Sequence, residues 1–271
     1  MEKKQRNLNA AAKAKKDEFY TQLTDIEKEM RYYRKHFRGK TILCNCDDPF
    51  ESNFFKYFVL NFNRLGLTKL IATCYSTSPI MGSQLHYHFD EHGQMSFSFG
   101  DTSRDDGVKH PYKAVVKQVY DKTGDGGVDM LDVVELFKSG ENELSELSGD
   151  GDFRSPECLS LLDEADIVVT NPPFSLFREY ISTLMEHRKS FIIIGNVNAI
   201  TYKEFFPLLK ENKVWIGASI HSGDRKFYVP DDYPLSAAGC GIDEEGRRFI
   251  RVKGVRWYTN LDIKQRHEEL I

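Results

Sequence analysis

Nothing in the 271 residues approaches the length of an apolar membrane-spanning helix, and the charged N-terminus lacks the apolar core of a signal peptide. A soluble cytoplasmic protein with no membrane partner is therefore expected. Cysteine is scarce: the five residues, at 44, 46, 74, 158 and 240, contain no C-x-x-C spacing, which excludes the usual zinc frameworks. Cys44 and Cys46 alternate with period 2 on an expected strand and read as small core residues of one face. His86-Tyr87-His88 reads as a surface strand pair rather than a metal site. Excess charge is small as well, at −4 overall, which excludes a uniformly basic nucleic-acid coat.

Resolved along the chain, that small net charge hides an asymmetry. Residues 1–40 carry 12 Lys/Arg against 6 Asp/Glu, residues 121–166 carry 3 against 14, and residues 247–271 carry 7 against 3. Basic ends around an acidic middle can grip a phosphate backbone while the whole stays acidic. Taken alone, each end is equally well a basic tail or a solvated helix face. Residues 1–16, polar and rich in Ala and Lys, read as a mobile basic arm ahead of one domain spanning 17–271.

Periodicity sketches that domain. Thr24–Phe37 patterns as a helix with acids early and Arg34 and Lys35 late, Thr41–Cys46 as a strand, Ser52–Leu65 as an aromatic-rich helix closed by Gly66, and Lys69–Tyr75 as a second strand. Gln94–Phe99 and Lys113–Tyr120 alternate around Gly-rich turns, which suggests a β-rich insertion with an acidic loop over about residues 85–150. Cys158–Glu164 and Ser175–His187 read as helices, Asp166–Thr170 and Phe191–Gly195 as apolar strands. Thr201-Tyr-Lys-Glu204 has the form of a capping box opening a helix to Glu211, and Val214–Ile216, Lys226–Val229 and Phe249–Tyr258 supply closing strands. Strand and helix alternate as in an α/β protein.

The most informative segment is Asn171-Pro172-Pro173-Phe174, directly after the apolar strand. Prolines cannot continue a hydrogen-bond ladder, so the Asn is presented at the strand's carboxyl end, where open α/β sheets hold their ligands. The Asn171 side-chain oxygen and the Pro172 carbonyl give two acceptors beside the flat ring of Phe174. That set suits a planar heterocycle bearing an exocyclic amine, stacked after it has been turned out of a duplex. The bland reading is a strand that ends on two prolines with Asn171 capping the next helix.

Further segments carry a resemblance. With Asp17-Glu-Phe-Tyr-Thr21, Cys44-Asn-Cys-Asp-Asp-Pro49, Gly151-Asp-Phe-Arg-Ser-Pro-Glu-Cys158, Ile200-Thr-Tyr-Lys-Glu204, His221-Ser-Gly-Asp-Arg225 and Arg251-Val-Lys-Gly-Val-Arg-Trp257, the chain resembles the EcoRI-type adenine-specific DNA methyltransferases from about residue 7 to its last residue. The resemblance implies a class I methyltransferase fold, a mostly parallel seven-stranded sheet with an antiparallel closing hairpin, and S-adenosylmethionine as cofactor. It also implies double-stranded DNA as substrate and a cognate restriction endonuclease acting separately. By the same resemblance Phe19, Tyr20 and Thr21 cover the methionine part of the cofactor, while Asn45 and Asp47 contact it from the end of the first strand. Asp152 accepts from the amine of the cofactor's adenine, Phe153 packs on that ring, and Asn171, Pro172, Pro173 and Phe174 hold the target adenine.

Departures from the general methyltransferase pattern are visible. Asp47-Asp48-Pro49 stands where a Gly-rich loop usually follows the first strand, and Tyr75-Ser76-Thr77 where an acid usually follows the second. The chain stops at Ile271 soon after the closing strands, so the target-recognition region is expected to be short or cut off. Other acceptors remain open, namely a protein glutamine amide or an RNA base amine, as does an inactive nucleic-acid-binding relative. Separately, Asp121 to Asp132 fits a 12-residue calcium loop, with Asp121, Thr123, Asp125 and Asp132 as ligands and Gly126 at the sharp turn; an acidic turn that binds nothing is the alternative.

Overall fold

The computed structural model describes residues 21–46, 52–73, 85–89, 95–99, 111–229, 235 and 239–268. Its centre is an eight-stranded sheet, one strand more than expected, ordered β6-β5-β2-β1-β7-β8-β13-β9. The strands are β1 (Thr41–Asn45), β2 (Lys69–Thr73), β5 (Tyr112–Val116), β6 (Glu143–Glu146), β7 (Ile167–Thr170), β8 (Ser190–Asn196), β9 (Trp215–Ile216) and β13 (Val255–Thr259). β2, β1, β7 and β8 run parallel side by side, while β5 and β13 run against their neighbours. The result is a mixed α/β fold around a mostly parallel sheet.

The inner strands are apolar throughout because helices cover both faces. Ile42, Cys44, Leu70, Ala72, Val169, Ile192 and Ile194 pack on one side, under helices α1 (Leu23–Met30), α3 (Asn53–Leu60) and α5 (Met130–Lys138). Leu43, Ile71, Val168, Phe191 and Ile193 pack on the other, under α6 (Pro156–Glu164) and α7 (Phe177–Glu186). Helix starts follow the capping rules: the Ser52 and Ser155 side chains accept from Phe54 N and Cys158 N, with Pro156 in the first turn of α6.

Several boundaries depart from the pattern reading. The helix expected over Thr24–Phe37 breaks after Met30 into α1 and the single turn α2 (Arg34–Phe37), because Tyr33 turns inward and its hydroxyl donates to buried Glu29 at 2.7 Å. The aromatic helix divides likewise into α3 and α4 (Phe62–Leu65), and Gly66 closes it in the left-handed conformation as expected. No capping box forms at Thr201–Glu204: Thr201 Oγ1 donates to the Asn198 carbonyl, and α8 (Phe206–Lys210) starts without a side-chain cap. Cys46 adopts φ 82° and packs with the cluster opposite to that of Cys44, so the two do not share a face.

The alternating segments expected as one meander divide. β3 (Leu85–Phe89) and β4 (Met95–Phe99) pair with each other, whereas β5 joins the edge of the main sheet against β2. Near the end, the single strand expected over Phe249–Tyr258 is split at Gly254. β12 (Arg248–Lys253) forms a small antiparallel sheet with β10 (Asp224–Tyr228) and β11 (Gly241–Ile242), and β13 returns to the main sheet.

Candidate active site

The sheet order reverses at β1: β2 lies on one side of it and β7 on the other. Such a reversal opens a crevice beyond the carboxyl ends of the strands. Buried polar residues gather there: Asn45 on β1, Thr73 on β2, and Thr170 and Asn171 at the end of β7. Thr170 Oγ1 donates to the Asn45 carbonyl, and the Tyr180 hydroxyl, from α7, donates to Asn45 Oδ1. Burial, followed by the neighbouring Cys46, pushes Tyr180 well above the usual tyrosine value, so it serves as a neutral donor. These bonds fix the ends of the two strands against each other.

Asn171 follows directly and is only 4% exposed. It makes polar contacts of its own, and its Oδ1 is among the buried acceptors toward which no described donor points. Pro172 and Pro173 are buried, and the Pro173 carbonyl accepts from Leu176 N at 2.9 Å, which starts a 3-10 turn over Phe174–Leu176. Phe174 is half-buried against the edge of the core.

The loop at 150–153 reaches the same crevice through aromatic packing. Phe153 stacks edge-on against Tyr180, with ring centroids 5.0 Å apart, so the sequence Phe153, Tyr180, Asn45, Thr170, Asn171 is one chain of contacts. Asp152 is held by Arg154. Oδ1 accepts from Arg154 N at 2.9 Å and Nε at 2.8 Å, while Oδ2 accepts from Nη2 at 2.6 Å. Burial alone would raise the Asp152 carboxyl, but the Arg154 hydrogen bonds and charge outweigh it and hold the group below its ordinary value. Arg154 also reaches Glu179 at 2.5 Å and lies 5.3 Å from the centre of the Phe153 ring.

Of the other expected residues, Thr21 is buried, and its carbonyl accepts from Asn53 Nδ2 at the start of α3. Its Oγ1, with Gln22 Nε2, is buried without a described partner. Phe19, Tyr20 and Asp47 lie outside the described residues. Pattern reading missed Tyr180 and Arg154. A signal existed for Tyr180, which shares the apolar stripe Phe177, Tyr180, Ile181, Leu184 and is the one member with a polar tip.

The loop at 121–132 is apart from this crevice and closed by its own backbone. Asp121 accepts from Gly124 N and Gly126 N, at 2.6 and 2.8 Å. Asp125 accepts from Gly127 N at 3.1 Å. Asp132 is fully buried and accepts from Lys122 N, Thr123 N and Asp129 N at 2.8, 2.8 and 2.9 Å, while Asp129 caps α5. Asp121, Asp125 and Asp132 thus spend acceptor capacity on the loop's own amides, as the plain acidic turn would. Among the described residues no group of three or more His, Cys, Asp or Glu side chains is placed to hold a metal ion.

With this geometry in place, comparison with known proteins is decisive about kinship. The family model described as "Adenine-specific methyltransferase EcoRI" matches residues 7–271. The chain belongs to the EcoRI adenine-specific methyltransferase family. It is 43% identical over 270 residues to the Type II methyltransferase M.EcoRI of Escherichia coli, an alignment covering 97% of this chain and 71% of the relative. Identity is 34% over 257 residues to M.MgeORF184P of Mycoplasma genitalium and 32% over 260 residues to M.MpnI of Mycoplasma pneumoniae, both Type II methyltransferases. Those alignments cover 94% and 95% of this chain but 65% of each relative, so the chain spans about two thirds of their length. No solved structure matches the chain. No helix among the described residues is long and apolar enough to cross a membrane.

The family implies S-adenosylmethionine, which presents two amines, ribose hydroxyls and a purine ring. The groups at the crevice fit it in kind. Thr21 Oγ1 and Gln22 Nε2 are buried polar atoms without described partners, Asp152 Oδ2 accepts one bond and retains a lone pair for an amine, and Phe153 is an aromatic surface beside it.

Proposed function

We propose that this protein is a class I methyltransferase that transfers a methyl group from S-adenosylmethionine to N6 of adenine at a defined site in double-stranded DNA. The observation that carries the reading is Asn171-Pro172-Pro173-Phe174 leaving a buried strand at the sheet's reversal, in a chain that belongs to an adenine-specific family. A cognate restriction endonuclease acting separately on the same site is part of this reading.

When bound, the cofactor's sulfonium supplies an activated methyl group. The chain's own task is to make a poor nucleophile available. The adenine amine shares its lone pair with the ring, and the Asn171 oxygen and Pro172 carbonyl, by accepting both of its hydrogens, favour a tetrahedral nitrogen. Phe174 stacks on the extruded base. Thr21, Gln22, Asn45, Asp152 and Phe153, with Phe19, Tyr20 and Asp47, hold the cofactor. Positioning supplies most of the rate, and the nitrogen loses its extra proton to water after transfer.

Asn171→Ala tests this directly. Loss of one preorganised acceptor should lower the rate of methyl transfer to DNA by roughly 100- to 1000-fold, while calorimetric titration with S-adenosylmethionine stays as in the parent protein. A variant as active as the parent would remove the role assigned to Asn171. Labelled methyl appearing only in protein or RNA acceptors would replace DNA as substrate.

A further inference from the structure

The small sheet between β9 and β13 lies outside the crevice, and its two faces differ. Phe227 and Ile250 point into the core. Strand alternation and the register Asp224↔Lys253, Lys226↔Arg251, Tyr228↔Phe249 put those six side chains on the opposite face. Two cations, Lys226 and Arg251, therefore stand directly across from each other, an arrangement that destabilises a ladder pair unless anions offset it.

The anion nearest Lys226, Asp243, is heavily committed. Asp243 accepts from Tyr228 Oη at 2.9 Å, Lys226 Nζ at 3.3 Å and Arg247 N and Nε at 2.9 and 3.0 Å. Lys226 is further seated over the Tyr228 and Phe249 rings, at 4.9 and 4.4 Å. Among the described residues Arg251 pairs with Asp224 alone, at 3.9 Å, and its side chain is 53% exposed. Lys253 is exposed and makes no ion pair among the described residues.

The connection to the main sheet fixes where this face stands. Asn196, the last residue of β8, donates from Nδ2 to the Lys253 carbonyl at 3.1 Å, and Val197 N donates to the Gly254 carbonyl at 2.5 Å. Gly254 has φ 70°, and a Cβ there would lie 2.7 Å from Val197 Cγ1, so only glycine allows this close passage from β12 to β13. Since β8 pairs with both β7 and β13, Lys253 rises from the same edge of the sheet as Asn171, two strands away. Arg251 follows about 7 Å further along the strand.

We propose that the outer face of this small sheet, led by Arg251 and Lys253 with Lys226 across from Arg251 and aromatic Tyr228 and Phe249 in the row beyond, grips the phosphate backbone of the DNA duplex beside the target adenine. It rests on the reading of duplex DNA as substrate. The row of cations gives a chain of net charge −4 a local attraction for a polyanion at the rim of its crevice.

The test is a fluorescence-anisotropy titration of a labelled mixed-sequence duplex at several salt concentrations. It compares the parent chain, the double variant Arg251→Gln/Lys253→Gln, and a control, Lys210→Gln/Lys213→Gln, at the opposite edge of the sheet. The sheet variant should bind at least about 10-fold more weakly, with a log-log salt slope shallower by about 2. The control should bind like the parent, and calorimetric binding of S-adenosylmethionine should be the same in all three. Asp224→Asn, which removes an acid from the same face, should bind DNA more tightly. A sheet variant with the parent's affinity and slope, or a control that loses as much, overturns the surface alone. A parent chain that binds cofactor but no duplex overturns the DNA reading and this surface with it.

Discussion

Cys46 shows how a residue other than glycine can turn the chain at the end of the first strand. It leaves β1 at φ 82°, in the left-handed region that glycine enters at no steric cost. For a side chain with a Cβ that conformation costs roughly 1–2 kcal/mol. Cys46→Gly should relieve the strain but lose about 0.5–1 kcal/mol to the freer unfolded chain, so urea denaturation should find it neutral to slightly stabilising. Cys46→Val, β-branched, should be less stable by more than about 1 kcal/mol, and a valine variant as stable as the parent would deny the strain. Phe174→Ala, in contrast, should cost only about 1 kcal/mol of stability because the ring is half-buried at the edge of the core, and weaken binding of a substrate duplex by about 1–3 kcal/mol through lost base stacking. If affinity and turnover both survive, Phe174 is only part of the core.

At the level of elements, the acidic loop before α5 behaves as a helix start closed by its own carboxylates. Asp132 satisfies three backbone N–H groups while fully buried, so its charge is balanced by peptide dipoles. Asp132→Ala should cost on the order of 3 kcal/mol in thermal or urea unfolding, whereas a chelator should leave the melting temperature of the parent unchanged. A drop on chelation, reversed by calcium, would restore the cation to this loop. Pattern reading found the loop and left its chemistry open between a calcium loop and a plain acidic turn, because the residues that ligate calcium are the same ones that accept from turn amides. The strand and helix order of the central sheet was legible in apolar runs and capping residues such as Ser52 and Gly66. The split at Gly254 left a mark that a single strand over Phe249–Tyr258 passes over: the alternation shifts phase between Val252 and Val255, and the close approach to Val197 fixes the division there. Within the crevice, Asn171 was legible from its prolines, while the hold of Arg154 on Asp152 depends on side-chain geometry that two-residue spacing does not specify.

For the molecule as a whole, the charge pattern sets its response to acid. Asp152 and Asp243 are held below the ordinary carboxylate value: burial opposes the shift, and hydrogen bonds from Arg154, and from Arg247, Tyr228 and Lys226, outweigh it. Asp132 and Asp166 follow the same rule through backbone amides, with Lys40 aiding Asp166. Glu141, bonded to Lys122, Tyr120 and Ser139, falls to about 2. Each of these groups binds its proton more weakly folded than unfolded, so its stabilising contribution is complete above the ordinary value near 4 and disappears as pH falls through the lowered one. These carboxylates sit in the loop at 150–153, the small sheet, the capped acidic loop, the turn before β6 and the junction of β1 with β7, so acid attacks all of these regions at once. The melting temperature should therefore stay nearly flat from about pH 7 to about pH 5 and fall steeply below about pH 4. Asp243→Asn should shrink that acid step and lower the plateau, because it removes one of the lowered carboxylates and the anion that four groups of the small sheet share. A steep loss already between about pH 7 and pH 6 would point to histidine instead, and the carboxylate account would fail.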